Sequence, residues 1–386
     1  MMMPLSSGDK KILFIRTDAC VYDPRILKES SSLRAMGYKV FVFGWDRKGE
    51  FLREESINNV QYRRTRIRAP YGSRSLVFFL PIFWIRVLWE IFLVRPKVIH
   101  ACDLDALIPA LVIKPFSKIA IIYDIFDHFA DKIPRISKFF RSIVRHIDIT
   151  LMGFADVIIV TDSHRLRLLN NKHLRSISVI MNVPTKRDLP SKSNNRTSIK
   201  LCYSGVIHEH RGLYLIAEAI KNLEGVETIF AGWIPRKEDA DFLKSQKQIR
   251  YLGKLQYSDS LELIMDSDII LALYDPHLPI NLYASSNKIF EAMSARCPVI
   301  TNKETTMSII VEEEHCGSVI PYGDADVLRL EIIRLRDAPH LRMELGGNGY
   351  QAFLAKYNWE TMENRLGNIY KNIFRESDKS VVQKQD

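Results

Sequence analysis

The sequence predicts an α/β protein built from two doubly wound domains in tandem. Three observations carry this prediction. Short apolar runs alternate with longer helical patterns along the chain, the β-α-β signature of a parallel sheet. A stretch rich in Ser, Asn, Pro and charge at 185–200 (TKRDLPSKSNNRTSIK) divides that series in two. The length, 386 residues, exceeds one typical core.

The first domain opens with an apolar strand at 11–16 (KILFIR). Asp23 and Pro24 mark a helix start, Ile26, Leu27, Leu33 and Met36 its buried face, and Gly37 its end. Residues 38–44 (YKVFVFG) form the next strand. The turn between strand and helix reads TDACVYD and lacks G-x-G-x-x-G, so a dinucleotide cofactor is not expected. Arg25 at the helix start is placed to meet a phosphate or to face solvent.

Five arginines follow in one cluster from Arg63 to Arg74, and residues 75–94 (SLVFFLPIFWIRVLWEIFLV) come directly after. The run is long enough to cross a bilayer, but Pro81, Arg86 and Glu90 oppose a span. Two readings stay open. The helix lies in the core, or it docks peripherally on an anionic membrane with the arginine cluster beside it.

Three later strands, at 97–100, 118–123 and 156–160, all end in polar or titratable residues. The first is followed by Asp103 and Asp105, the second by Asp124, Asp127 and His128, and the third by Asp162, Ser163 and His164. One such ending is an ordinary helix cap; three in succession predict a shared cleft at the carboxyl ends of the strands. Asp103-Leu104-Asp105 also spells D-x-D, a metal-binding pair elsewhere, but helix capping accounts for it and no metal is expected.

In the second domain, 199–203 (IKLCY) leads into SGVIHEHRGL. Gly205 there permits close backbone approach, and Arg211 precedes a helix, where it suits a diphosphate or plain solvent. Further on, 281–302 (NLYASSNKIFEAMSARCPVITN) reads as loop, short helix and buried strand. Ser285 and Ser286 are good caps, and Ile289, Phe290 and Met293 give one buried face. The free N–H groups at such a helix start attract anions, and Lys288 adds a mobile positive charge. Glu291 shares its helix face. A cation for phosphate and a carboxylate for sugar hydroxyls suit a nucleotide-sugar, although spacing alone fits an exposed Lys–Glu pair better.

Composition narrows the partners. Hydrophobic content of 47% and charged content of 26% are those of a soluble globular protein. Five scattered cysteines without a CxxC pair predict free thiols rather than a disulfide frame or zinc site. No secretory signal pattern precedes the first strand, so a cytoplasmic protein is expected. Residues 1–200 hold 34 Lys and Arg against 18 Asp and Glu, whereas the remainder holds 21 against 27. The basic half suits lipid or a phosphorylated acceptor, because no nucleic-acid module is present in the sequence.

With these motifs in place, the chain resembles the GT-B fold and, more narrowly, the retaining glycosyltransferases of family 4 (glycosyl transferases group 1). DPRILKESSSLRAMGYKV resembles the family's first helix and second strand. VIHACDLDAL and IIYDIFDHFAD resemble two acceptor-side strand ends, and ADVIIVTDS the last strand. YSGVIHEHRGL resembles the donor-phosphate turn, SSNKIFEAMSARCPVI the PNKxxEAM run, and YNWE with its long helix the C-terminus.

The resemblance implies two Rossmann-like doubly wound domains facing across a cleft. They comprise an acceptor-side domain at 1–184, a linker at 185–198 and a donor-binding domain at 199–358. A C-terminal helix at 359–376 would pack back towards the first domain, ahead of a disordered tail at 377–386. It implies transfer of a sugar from a nucleotide-diphosphate sugar to an acceptor hydroxyl with retention, in polysaccharide or glycolipid assembly. It needs no cofactor beyond the donor. By position, Gly205, Arg211, Asn287, Lys288 and Glu291 bind the donor, Glu291 at the ribose. Asp127, His128, Arg211 and Lys288 are the catalytic candidates, and Asp103, Asp105 and Asp124 face a glycan or lipid-linked acceptor. Tyr283 stands where the family carries the first of its two motif glutamates, and Phe126 where many relatives carry a histidine. A sugar-nucleotide epimerase of the same fold and a non-catalytic nucleotide-sugar or membrane-binding subunit remain alternatives.

Overall fold

Parallel pairing of apolar strands organises both halves of the chain. The computed structural model describes residues 10–21, 23–70, 74–126, 137–163, 174, 176–188, 197–282 and 286–382. The chain divides into two units, Met1–Asn182 with Met362–Asp386, and Val183–Thr361.

Unit 1 holds β1 (Lys11–Ile15), β2 (Lys39–Trp45), β3 (Glu54–Ile57), β4 (Val60–Thr65), β5 (Val98–Cys102), β6 (Ala120–Ile125), β7 (Val157–Val160) and β8 (Ile177–Val179). They form one sheet in the order β3-β4-β2-β1-β5-β6-β7-β8, parallel except for the β3/β4 hairpin. Leu13 of β1 pairs with Phe41 on one side and Ile99 on the other. Ile12 to Ile15 are fully buried, as expected of a strand covered on both faces. Helices α1 (Pro24–Ala35), α2 (Leu80–Val94), α3 (Leu104–Ile113) and α4 (Lys138–Met152) supply the cover.

The hairpin is absent from the sequence reading. Asn58 and Asn59 both take positive φ, 51° and 61°, the requirement of a type I′ two-residue turn. Its second strand carries Arg63 and Arg64 of the arginine cluster, with Arg66 just past its end, and all three are engaged internally. Arg63 pairs with Glu54 and with Glu90 at 2.7 Å, buried Arg64 pairs with Glu55, and Arg66 faces Asp46. These three arginines therefore do not form the free basic patch expected of them.

The apolar run divides into a 3₁₀ turn (Arg74–Phe78) and α2, with Pro81 in the first turn of the helix. Leu80, Phe83, Val87, Ile91 and Val94 pack into the sheet's core, while Ile82, Ile85, Trp89, Phe92 and Leu93 are exposed. The stretch Leu76–Val94 is long and apolar enough to cross a membrane, yet a third of it is buried against the sheet.

Unit 2 holds β9 (Ile199–Ser204), β10 (Val226–Ala231), β11 (Ile249–Tyr251), β12 (Ile269–Ala272), β13 (Val299–Asn302) and β14 (Gly317–Ile320). They form an all-parallel sheet in the order β11-β10-β9-β12-β13-β14. Its helices are α5 (Leu213–Ala219), α6 (Lys237–Ser245), α7 (Tyr257–Met265), α8 (Pro279–Leu282), α9 (Asn287–Ser294), α10 (Thr306–Glu313), α11 (Ala325–Asp337) and α12 (Pro339–Ala355). The last helix, α13 (Trp359–Val382), leaves unit 2 and joins unit 1 from Met362 onward. It extends beyond residue 376, where the sequence reading ends it.

Each unit is a doubly wound, Rossmann-like domain, so the predicted fold class is the observed one.

Candidate functional site

The site is built on the carboxyl ends of the unit 2 strands, where a doubly wound sheet presents its ligands. Four chain segments meet there. After β9 the backbone turns through Gly205 at φ 137°, a conformation that favours glycine. A Cβ on Gly205 would stand 2.8 Å from Lys288 Nζ, so the missing side chain makes room for the ammonium. A 3₁₀ turn (Glu209–Arg211) then carries Arg211 to the head of α5, with Gly212 at φ 79° as the hinge between them.

The third segment follows β12. Buried Tyr274 is held from behind by Asn302, which accepts from its N–H at 2.7 Å and donates to its carbonyl at 2.9 Å. The fourth is the start of α9, capped by Ser286, whose hydroxyl accepts from the Lys288 N–H at 3.3 Å. Lys288 Nζ donates to Tyr274 Oη at 3.2 Å, and that oxygen lies 2.7 Å from Ser286 Oγ. The guanidinium of Arg211 lies over the Tyr274 ring, 3.8 Å from its centroid, and the ammonium lies 5.1 Å from the Tyr203 ring.

Lys288 and Glu291 are only 9% and 7% exposed, which rules out the exposed ion pair that their spacing also fitted. Among the described residues, neither Lys288 nor Arg211 forms an ion pair with a carboxylate. Two cations thus converge beside a helix N-terminus, set against the faces of Tyr274 and Tyr203 and the hydroxyls of Tyr274 and Ser286. Burial pushes the Lys288 ammonium down and the Tyr274 phenol up, but their mutual attraction reverses both: the ammonium stays above its usual range and the phenol falls below its own. An anionic ligand would compensate this arrangement.

Glu291 lies one turn further along α9, and its charge adds to the burial that raises the Tyr257 phenol. Asn287 is half-buried at the first position of the helix. Asn281 is buried and donates to the carbonyls of Asp275 and His210, at 3.0 and 3.4 Å. Tyr283 lies outside the described residues.

Beside Arg211, His208 is held neutral. Burial, then the nearby Arg211 and His210, lower its pKa to about 4.

Unit 1 places its candidates differently. Asp103, at φ 70°, accepts from the Phe126 N–H at 3.0 Å and faces Arg16 at 3.3 Å. Asp105 accepts from the Thr17 hydroxyl. Asp124 is fully buried, with both oxygens held by the Arg25 fork at 2.9 and 2.8 Å, so it has no surface to offer an acceptor. Arg25 itself is buried rather than facing solvent or a phosphate. Asp127 and His128 lie outside the described residues.

One trio, His100, Cys102 and Asp124, brings potential metal-ligand atoms within 4.8 Å of one another. Arg25 already occupies the carboxylate, and His100 Nδ1 pairs with Tyr370 Oη at 2.7 Å, so the carboxylate and the imidazole are already engaged within the core.

Tyr274, Tyr203 and Asn302 are site residues that the sequence reading passed over. The available signal was position: Tyr203 and Tyr274 stand at the carboxyl ends of two adjacent apolar strands.

Comparison with known proteins adds to this geometry. Residues 212–367 match the family described as Glycosyl transferase-like. No curated protein matches the chain by sequence. Among solved structures, sucrose-phosphate synthase from Thermosynechococcus elongatus superposes with a TM-score of 0.78 at 16% identity, covering 95% of this chain and 100% of that one. Anabaena HepE in complex with UDP-glucose gives 0.69 at 13% identity, covering 94% and 99%. WaaG, a glycosyltransferase involved in lipopolysaccharide biosynthesis, gives 0.65 at 13% identity, covering 92% and 98%. At these identities the likeness shows the fold, which is GT-B.

Proposed function

We propose that the chain is a glycosyltransferase that moves a sugar from a nucleotide-diphosphate sugar to an acceptor hydroxyl, with retention of anomeric configuration. The observation that carries this reading is the convergence of Arg211 and Lys288, without carboxylate partners among the described residues, at the start of α9. The family match over 212–367 supports the transferase class, and the UDP-glucose complex of HepE supports a nucleotide-diphosphate sugar as donor.

The difficult step is breaking the bond between the anomeric carbon and the diphosphate oxygen. The bonding electron pair leaves with the nucleoside diphosphate, the acceptor oxygen bonds to the anomeric carbon, and the acceptor's proton passes to the departing phosphate oxygen. Charge grows on the leaving group. Arg211, Lys288 and the N–H groups of α9 meet that charge before it forms, so their contribution is electrostatic preorganisation. Glu291, buried one turn along, takes the ribose hydroxyls. The scheme places no metal ion at the diphosphate.

On the sequence resemblance, recognition of the acceptor belongs to unit 1, with Asp103, Asp105, Asp127 and His128 as candidates. A glycan or lipid-linked acceptor is favoured by the exposed apolar face of α2, which suits a cytoplasmic protein that touches a membrane peripherally. The role of WaaG in lipopolysaccharide biosynthesis points the same way.

Incubation with a panel of nucleotide sugars tests the reading. A transferase releases free nucleoside diphosphate, an epimerase yields a new sugar nucleotide, and a binding subunit yields neither. The anomeric configuration of the product tests retention.

A further inference from the structure

We infer that unit 1 carries a pocket for the anionic headgroup of a membrane lipid, at the C-terminal end of α2. The inference deepens the peripheral-membrane part of the proposed function and rests on it. A cavity of about 480 Å³ opens there, with Lys11, Arg95, Lys97 and Lys118 around it and Phe92 and Ile119 among its apolar lining.

The topology explains why the cations meet. Lys11 begins β1, Lys97 immediately precedes β5, and Lys118 stands two residues before β6. These strands are parallel neighbours, so their amino ends lie side by side: the Lys97 N–H donates to the Lys11 carbonyl and the Ala120 N–H to the Lys97 carbonyl. Arg95 joins them because it ends α2 in the left-handed conformation, at φ 52°. The pocket therefore occupies the edge of the sheet opposite the one that bears Asp103 and Asp105.

Among the described residues, no carboxylate lines this cavity. Lys11 Nζ donates to the Val94 carbonyl at 3.1 Å, and Arg95 lies over the Phe92 ring at 5.7 Å. Among the described residues, none of the four cations has an ion-pair partner. Like charges gathered without a counter-ion repel one another, and a phosphate placed among them reverses the sign of every interaction.

The second observation selects the source of that phosphate. Ile82, Ile85, Trp89 and Phe92 are 47%, 66%, 58% and 61% exposed, at helical spacing on one face of α2. The Trp89 and Phe92 rings stack at 5.9 Å, and Phe92 also lines the cavity, so the apolar stripe runs into the basic pocket. Arg86 is the one exposed charge on α2, Glu90 being buried against Arg63. A soluble phosphate would leave the stripe in water, whereas a lipid satisfies both parts, with acyl chains along the stripe and its headgroup in the pocket.

Co-sedimentation of the full chain tests this, using vesicles of phosphatidylcholine alone and of phosphatidylcholine mixed with phosphatidylglycerol. The unaltered protein is expected to prefer the mixed vesicles. The double variant Lys97→Gln/Lys118→Gln, altered at two exposed side chains, is expected to keep its thermal unfolding midpoint. Its partitioning into mixed vesicles should fall by roughly tenfold or more, with little change on phosphatidylcholine. A double variant that retains the full preference overturns the pocket and leaves the membrane reading standing. An unaltered protein that sediments with neither vesicle overturns the membrane reading and the pocket with it. If titration shows that inorganic phosphate binds at the same lysines while phosphatidylglycerol gives no preference, the lipid assignment is overturned in favour of a soluble ligand.

Discussion

The Lys288 ammonium lies 3.2 Å from the Tyr274 phenol oxygen, although the two residues come from different elements of unit 2, the start of α9 and the loop after β12. The phenol accepts from the ammonium and donates to Ser286 Oγ, so one hydroxyl fixes both the charge and the helix cap. Tyr274→Phe keeps the ring and removes that junction. A hydrogen bond to a charged group contributes about 1.5–3 kcal/mol, so apparent donor affinity is expected to fall roughly tenfold to a hundredfold. Steady-state kinetics against the donor check this; unchanged donor dependence would remove Tyr274 from the site.

Gly205 makes a complementary prediction. A Cβ there meets the Lys288 amine at 2.8 Å and forces a side chain into φ 137°. Gly205→Ala is expected to cost about 1–3 kcal/mol of stability through strain and to displace the ammonium as well. Donor KM should therefore rise even where the protein remains folded, and a variant with wild-type KM would show that the amine's position is immaterial.

In unit 1, Arg25 is the countercharge for the buried Asp124 carboxylate. It forks onto Asp124 and lies 3.1 Å from Glu29, both fully buried. Arg25→Met leaves Asp124 without its cation, and removing one partner of a buried pair costs about 3–5 kcal/mol. Urea unfolding should record that loss in the unfolding free energy. A loss below about 1 kcal/mol would mean that the pair matters no more than a surface ion pair.

Glu29 links the same network to pH. Burial, aided by the charges of Asp124 and Asp23 and opposed by Arg25, raises its carboxyl to about 8. The folded state thus holds a proton that the unfolded chain releases near the ordinary glutamate range. The stability from this group is fully present below the unfolded pKa and is lost as pH rises through the folded value. Between about pH 5 and 8 its contribution slopes downward by up to about 1.4 kcal/mol per pH unit. Glu29→Gln keeps the neutral shape and should flatten the decline, as denaturant melts across that range would show.

Most of the architecture was legible because apolar runs and their turn residues report local structure directly. Strands at 11–15, 98–102 and 199–204 announce themselves through Ile, Leu and Val, and Asp23-Pro24 announces α1. The β3/β4 hairpin was harder to see, because Glu54 to Ile57 alternate exposed and half-buried and carry little apolar content. Asn58-Asn59 was its one clear local signal. The arginine cluster misled for a different reason. Charge is visible in a sequence, but its partner is not, and Glu54, Glu55 and Glu90 neutralise it only once the strands and α2 are assembled.

The same limit applies to the site. Spacing set Lys288 and Glu291 on one face of α9 but left their burial open, because that depends on what packs against the helix. Arg211 and Tyr274 reach Lys288 only through the order of β9 and β12 in the sheet.

The most direct test of the account is turnover of the Lys288→Ala protein, measured as release of nucleoside diphosphate from the donor that the unaltered chain accepts. The account predicts a fall of about 10²–10³-fold, the loss expected when one preorganised donor to a developing charge is removed, with the thermal unfolding midpoint confirming a folded protein. Unchanged turnover in that folded variant would contradict the assignment of Lys288 to the leaving diphosphate, and with it the central claim.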